Sequence, residues 1–160
     1  MTKQPRIGNG YDVHSFCDGN EIVLCGIKIP FNKGFKAHSD GDVAMHSLTD
    51  AIYGAIACGD IGRHFPDNDE KWKNTNSEIF LNHAKQELEK IGGYIGNIDI
   101  TIIAEQPKIT PYSEDMINNI ARILDIEKNK VSIKATTSEK LGFIGREQGI
   151  ATKSTVMVFV

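Results

Sequence analysis

Between Gly41 and Cys58 the apolar residues Val43, Leu48, Ile52, Ala55 and Ile56 recur at helical spacing, and no other stretch constrains the fold as tightly. A carboxylate, Asp40 or Asp42, stands where it can cap the start, and Gly59 closes the end. The interior is otherwise alanine, methionine, leucine, isoleucine and tyrosine, which predicts a packed helix. On both sides of it the period changes. Arg6–His14 reads as an extended segment with two glycines, and Glu21–Pro30 as a hairpin around Cys25-Gly26. Phe31–Asp40 reads as a loop. Ile98–Glu105 is a strand cut off by Pro107, Val131–Thr136 alternates apolar with polar, and Thr152–Val160 is the last strand. A second helix is predicted over Ser77–Ile91, capped by Asn76 and stopped by Gly92-Gly93. A third covers Tyr112–Leu124, with Thr110-Pro111 as cap and first turn. This mixture predicts an α+β fold, an α/β sandwich. A mixed sheet of about four main strands would carry helices on one face, with a small hairpin beside it.

At 160 residues the chain is long enough to bury its own core, and it is expected to form one domain over 1–160. It is 40% hydrophobic and 24% charged with a net charge of −3, so no polycationic surface invites nucleic acid. No apolar run approaches the length of a bilayer span, and the polar start, Met-Thr-Lys-Gln-Pro-Arg, reads as neither signal nor transit peptide. Cys17, Cys25 and Cys58 are odd in number and irregular in spacing, which favours reduced thiols in a cytoplasm.

Polar density then gathers in three islands. Lys134–Arg146 leaves a strand into two threonines, Glu139, two glycines and flanking cations, a composition suited to phosphate oxygens and a hard metal ion. Hydroxyls and N–H groups would donate to the oxygens, Glu139 would ligate, and Lys140 or Arg146 would balance charge. Asp12 and His14 lie two apart in an extended segment and so point to one face. Alone, the pair reads more readily as a turn cap and a surface histidine. With His46 it makes one oxygen and two nitrogen donors, a set that suits Zn²⁺ with its fourth position open. Asp42, His46 and Asp50 fall at i, i+4 and i+8, a polar stripe on a packed helix that a cleft explains better than solvent does. His38-Ser39 precedes the helix N-terminus, where N–H groups and the macrodipole favour anions, although Ser39 also suits a cap. Asp40-Gly-Asp42 lacks the further ligands of a calcium loop.

The remaining stretches are open to two readings. Ala104–Thr110 is a strand exit frozen by Pro107, either an edge that reads a flat heterocycle or a simple turn. Asp60–Gly62 and Phe65–Asp69, within a long polar connection from Asp60 to Asn74, either hold polyol hydroxyls or form a plain loop. His64 and His83 are expected at the surface.

In this order the islands resemble the 2-C-methyl-D-erythritol 2,4-cyclodiphosphate synthase family of the non-mevalonate isoprenoid pathway. The resemblance covers essentially the whole chain, with Ala37–Ala44, Gly59–Gly62 and Ala135–Phe143 as its most specific segments. Departures are slight: a few extra residues before Arg6, the identity of Tyr11, and the variable pair Arg63-His64. The resemblance implies a homotrimer with active sites between adjacent subunits. It implies zinc on Asp12, His14 and His46, and a second divalent cation, Mg²⁺ or Mn²⁺, on Glu139 and the substrate phosphates. His38, Ser39 and Thr137 would take the phosphate-contact and transition-state roles, His38 and Thr137 being catalytic. Asp60, Ile61, Gly62, Phe65, Pro66, Asp67, Asn68 and Asp69 would hold the erythritol. Ala104, Glu105, Gln106, Pro107, Lys108, Ile109, Thr110 and Thr136 would surround the cytidine. Val13, Ser138, Phe143 and Arg146 complete the substrate contacts. Arg146 and Tyr11 would line an axial channel suited to an isoprenoid diphosphate. Two rivals compete with this reading: a zinc-dependent phosphodiesterase that uses the same ligands to activate water, and a trimeric sensor of isoprenoid diphosphates, which would have no need of the metal ligands.

Overall fold

The alternation expected over Arg6–His14 runs further at both ends, and β1 spans Pro5–Cys17 in the computed structural model, which describes residues 2–66 and 68–160. Every second residue of β1 turns inward. Gly8 and Gly10 are buried and Asp12 and His14 are partly covered, while Ile7, Tyr11 and Val13 on the opposite face are exposed. The hairpin forms as expected, β2 (Glu21–Leu24) against β3 (Ile27–Pro30), with Cys25 and Gly26 at positive φ in its turn. β4 (Gly34–Phe35) is a two-residue edge on β1.

Helix α1 (Val43–Ala55) is shorter than its apolar pattern, because Asp42 rather than Asp40 caps it through the Met45 N–H. Asp42 does more than cap. Its carboxylate also accepts from the backbone N–H groups of Cys25 at 2.9 Å and Gly26 at 2.6 Å, tying the hairpin to the helix start. Asp42 is fully buried and so leaves the polar stripe that the i, i+4, i+8 spacing suggested. The connection from Asp60 to Asn74 is not bare loop: it holds α2 (Ile61–His64) and a 3₁₀ turn at Glu70–Trp72. Helix α3 (Glu78–Lys90) starts after Ser77, and Asn76 helps with a side-chain bond to the Glu78 N–H.

β5 (Tyr94–Ile103) begins four residues before the expected strand, and Thr110–Tyr112 forms a 3₁₀ turn leading into α4 (Ser113–Leu124). β6 (Val131–Thr136) ends where alternation stops; α5 (Gly142–Gly145) is a single turn, and β7 covers Gly149–Phe159. The main sheet runs β4-β1-β7-β5-β6, antiparallel except for the β5–β6 pair. This is the expected α+β arrangement: four long strands in a mixed sheet, and a separate hairpin. Ile98, Ile100, Ile102, Val156 and Val158 meet Leu48, Ile52, Leu81, Leu88 and Ile120 in one buried cluster. Burying side chains of this size stabilises by about 1.5–3 kcal/mol each.

Two glycines set how closely α1 approaches. A Cβ on Gly8 would lie 1.8 Å from the Ala51 carbonyl oxygen, and one on Gly10 would lie 1.8 Å from that of Ser47. The helix backbone therefore rests directly on β1. Thr152 of β7 adds a hydroxyl bond of 2.7 Å to the Val43 carbonyl, and the Ser154 and Ser47 hydroxyls meet at 2.6 Å. Those contacts fix the register that carries His46 over Asp12 and His14.

Candidate active site

Three donor atoms converge where α1 crosses the end of β1. Asp12 Oδ2 lies 3.2 Å from His14 Nε2 and 3.1 Å from His46 Nδ1, and the two nitrogens are 3.2 Å apart. Tetrahedral bonds of about 2.0–2.1 Å to nitrogen and oxygen would set an edge of about 3.3 Å, so the triangle already has the size of a zinc face. Among the described residues this is the one group of three such side chains close enough to share an ion. It is only partly covered, with side-chain exposures of 28%, 19% and 13% for Asp12, His14 and His46, so one position faces the cavity. The donors fit a divalent cation.

His46 is oriented from behind. Ser77 gives its hydroxyl proton to Asp40, so its oxygen accepts from His46 Nε2–H at 2.8 Å. Ser39 Oγ lies 3.2 Å from the same nitrogen. Nδ1 is thereby directed at Asp12, either as the carrier of a proton or as a lone pair for a cation. Burial works to raise the Asp12 carboxyl, but hydrogen bonds from His14 and then His46 outweigh it and hold the group far below the usual carboxylate range. Burial lowers His46, and the bond and charge of Asp12 more than reverse that. Burial also raises Asp50, whose carboxylate accepts from the Ile61 N–H at 2.8 Å. Sequence reasoning missed Ser77 and Asp40, because the bonds joining them span 37 residues.

The triad forms part of the wall of a cavity of about 660 Å³. His38, Ser39, Ile61, Phe65, Pro66, Asn68 and Asp69 line it too, as the sequence suggested, and Asp50, Trp72 and Phe80 join them. Asp60 instead caps α2 through the Arg63 N–H, and Asp67 lies outside the described residues. His64 and His83 are not simple surface residues. His64 stacks on Tyr53 at 4.3 Å, and the Tyr53 hydroxyl meets His83 Nδ1 at 2.6 Å. Phe65 packs edge-on against His83, joining this aromatic group to the cavity wall.

The other predicted contacts stand elsewhere. Val13 and Phe143 line a second hollow of about 620 Å³, beside His14. Residues 104–110 and 136–146 are absent from the lining of the larger cavity. Asp12 pairs with Thr152, Thr152 with Ile102 and Ile102 with Ala135, which is three strand spacings. At about 4.8 Å per spacing the triad and the group at the β5–β6 exit are about 14 Å apart across the sheet, while Phe143 comes back beside His14. Within the second group Ile109 is 3% exposed and belongs to the core. The Ala104 N–H donates to the Thr136 carbonyl, while Gln106, Lys108 and Thr110 are exposed. Glu105 is turned inward on its own chain and accepts from the Lys140 N–H and the Ser138 N–H, while the Ser138 hydroxyl gives its proton to the Leu141 carbonyl at 2.7 Å. Those bonds, the Lys140 one foremost, hold its carboxyl below the ordinary value. Glu139 and Arg146 are exposed, and Glu139 has no side-chain partner among the described residues.

Comparison with known proteins points one way. The YgbB family matches this chain over residues 5–159. A bifunctional enzyme IspD/IspF of Rhodobacter capsulatus is 56% identical over 156 residues, which is 98% of this chain and 41% of that one. The chain thus spans about two fifths of the length of such curated relatives. Among solved structures, IspF of Plasmodium falciparum in a CDP complex has a TM-score of 0.86 at 39% identity, covering 97% of this chain and 96% of its own. A 2C-methyl-D-erythritol-2,4-cyclodiphosphate synthase has a TM-score of 0.87 at 34% identity, covering 96% and 99%.

Proposed function

The chain belongs to the YgbB family, and on that premise we propose that residues 1–160 form one cyclodiphosphate synthase domain. It converts 4-diphosphocytidyl-2-C-methyl-D-erythritol 2-phosphate into 2-C-methyl-D-erythritol 2,4-cyclodiphosphate and CMP. The observation that carries this reading is the convergence of Asp12, His14 and His46 on one wall of a large cavity that His38 and Ser39 also line. A site of that kind can gather phosphate oxygens and neutralise their charge.

The substrate supplies the nucleophile itself. A phosphate monoester has a second pKa of about 6, so the 2-phosphate is mostly dianionic at neutral pH and needs no protein base. Its oxygen forms a bond to the β-phosphorus. The bond from that phosphorus to the bridging oxygen breaks, and the electron pair leaves with CMP. Ser39 sits in the loop feeding α1, where hydroxyl and N–H donors face incoming phosphate oxygens. His38 and Thr137 donate to oxygens whose charge changes as the ring closes. The residues of the α2 segment and Phe65–Asp69 hold the folded-back polyol, which brings the reacting groups together. Zinc on Asp12, His14 and His46, with magnesium or manganese on Glu139, would neutralise charge on the phosphate oxygens when bound. Glu139 suits the harder cation, because its exposed carboxylate is an oxygen donor with no internal partner among the described residues.

We further propose a homotrimer with each site between neighbouring copies. The separation of about 14 Å between the triad and the β6 exit supports it, since one copy alone holds the two halves apart. The exposed Ile7, Tyr11 and Val13 on the uncovered sheet face support it as well. Tyr11 and Arg146 are assigned to an axial channel that accepts an isoprenoid diphosphate, and the enzyme to the cytoplasm. No helix among the described residues is long and apolar enough to cross a membrane.

Phosphorus NMR on the purified protein with substrate, zinc and magnesium tests the activity. Cyclic diphosphate and CMP, both abolished by chelator, are the expected products. A linear diphosphate would replace this reading with hydrolysis. Binding of an isoprenoid diphosphate without turnover would replace it with a sensor.

A further inference from the structure

β5 and β6 run parallel and leave the sheet at the same end, with Ile103 beside Thr136. One more backbone bond, Ala104 N–H to the Thr136 carbonyl, carries the pairing a step beyond the strands. The next residue, Glu105, therefore stands beside the turn by which β6 reaches α5. That turn is an unusual one. Glu139 and Lys140 both adopt left-handed backbone, at φ of 53° and 60°, where L side chains are disfavoured and glycine or asparagine is the ordinary choice. Two consecutive residues in that region persist only when their surroundings hold them there.

Glu105 supplies the hold. Its Oε1 accepts from the Ser138 N–H at 3.2 Å and the Lys140 N–H at 3.0 Å. A single carboxylate oxygen thus gathers both sides of the residue between them, Glu139. The turn adds three bonds of its own: Leu141 N–H to the Ser138 carbonyl, Glu139 N–H to Thr137 Oγ1 at 3.2 Å, and the Ser138 hydroxyl to the Leu141 carbonyl at 2.7 Å. The second of these leaves the Thr137 hydroxyl proton free to point outward. Ionised acceptors make stronger hydrogen bonds than neutral ones, so the carboxylate suits this task better than an amide.

We propose that the Glu105 side chain is a positioning residue that locks the Thr137–Lys140 turn and thereby aims the Glu139 carboxylate and the Thr137 hydroxyl. Its Oε1 is committed to N–H groups of the turn. It acts through the turn, as outer partners of ligating carboxylates do. The roles of Glu139 and Thr137 rest on the synthase reading, whereas the lock on the turn does not.

The test uses the full chain and its variants Glu105→Gln and Glu105→Ala, with Mn²⁺ as the probe. Amide hydrogen exchange at residues 138–140 is expected to rise in both, more in Glu105→Ala, with protection in β5 and β7 unchanged. Mn²⁺ affinity, read by electron paramagnetic resonance, is expected to weaken about 10–100-fold in Glu105→Ala, with Glu105→Gln between it and the parent. In turnover the loss is expected in kcat more than in KM. Unchanged exchange at residues 138–140 would overturn the lock. Raised exchange with unchanged Mn²⁺ affinity and kcat would overturn the positioning role. Should the parent protein form no cyclic product, the synthase reading falls, and exchange with Mn²⁺ affinity still decides the role of Glu105.

Discussion

His46 shows how much one side chain depends on residues that never face the cavity. Its Nδ1 serves the triad because Nε2 is committed to Ser77, and Ser77 is committed to Asp40. Ser77→Ala should keep the fold, since the hydroxyl is lost without adding bulk, and should weaken zinc binding about 10–100-fold. Competition with a chromophoric chelator measures this, and an unchanged affinity would show that His46 needs no such partner. Asp42, a neighbour of Asp40 in sequence, acts on stability instead. Complete burial pushes its carboxyl up to about 6, against the pull of the Met45, Gly26 and Cys25 N–H groups. Below about pH 4 the group is protonated in both the folded and the unfolded chain and costs nothing. Between there and pH 6 only the unfolded chain releases its proton, so stability falls as pH rises, by about 3 kcal/mol in full. Asp42→Asn removes the titration but sets an amide against the Gly26 N–H. Its urea midpoint should therefore vary less between pH 4.5 and 7 than the parent's, and parallel pH dependences would refute the assignment. The triad was legible in the sequence because period two puts Asp12 and His14 on one face. The Asp40–Ser77–His46 relay was not, because it exists only where α3 crosses α1.

At the scale of elements, the pairing of α1 with β1 decides whether the donors meet at all. Gly8 and Gly10 have no side chain between the strand and the helix backbone, and the carbonyls of Ala51 and Ser47 occupy that space. Gly10→Ala must push α1 away or break the strand. A loss of about 3 kcal/mol is expected, at the upper end of ordinary overpacking, because the obstacle is rigid backbone. Calorimetry on the variant should show the lowered melting temperature and zinc analysis a reduced content, whereas a melting temperature equal to the parent's would refute the contact. The helices and strands themselves were legible because each keeps its period, and the hairpin because Cys25-Gly26 breaks an apolar run. Their ends were less so. β5 starts at Tyr94 rather than Ile98 because its partner β7 extends to Phe159 and pairs with it there, although Gly96 opposes no residue of β7. His64 and His83 read as surface residues because nothing local shows that Tyr53 emerges between them from α1.

For the whole molecule, the main consequence is that one copy holds the proposed catalytic groups as two separated halves. The triad with His38 and Ser39 lies at one end of β1, and Thr137 with Glu139 lies beyond β6, three strand spacings away. Nothing in the apolar pattern tells whether Ile7, Tyr11 and Val13 face a core, solvent or another copy, since an alternating strand looks the same against each. Mixing variants tests the arrangement directly. His46→Ala disables the first half of a site and Thr137→Ala the second, and each variant alone should turn over poorly. In a ring built head to tail, every site takes one half from each of two copies. Random assembly from equal amounts of the two variants then places both intact halves together in about one quarter of sites. Unfolding and refolding the two together should therefore restore activity to about a quarter of the parent's, while refolding them apart restores none. Should both halves of a site come from the same copy, every copy carries a defect, and the mixture would be no more active than the average of its components.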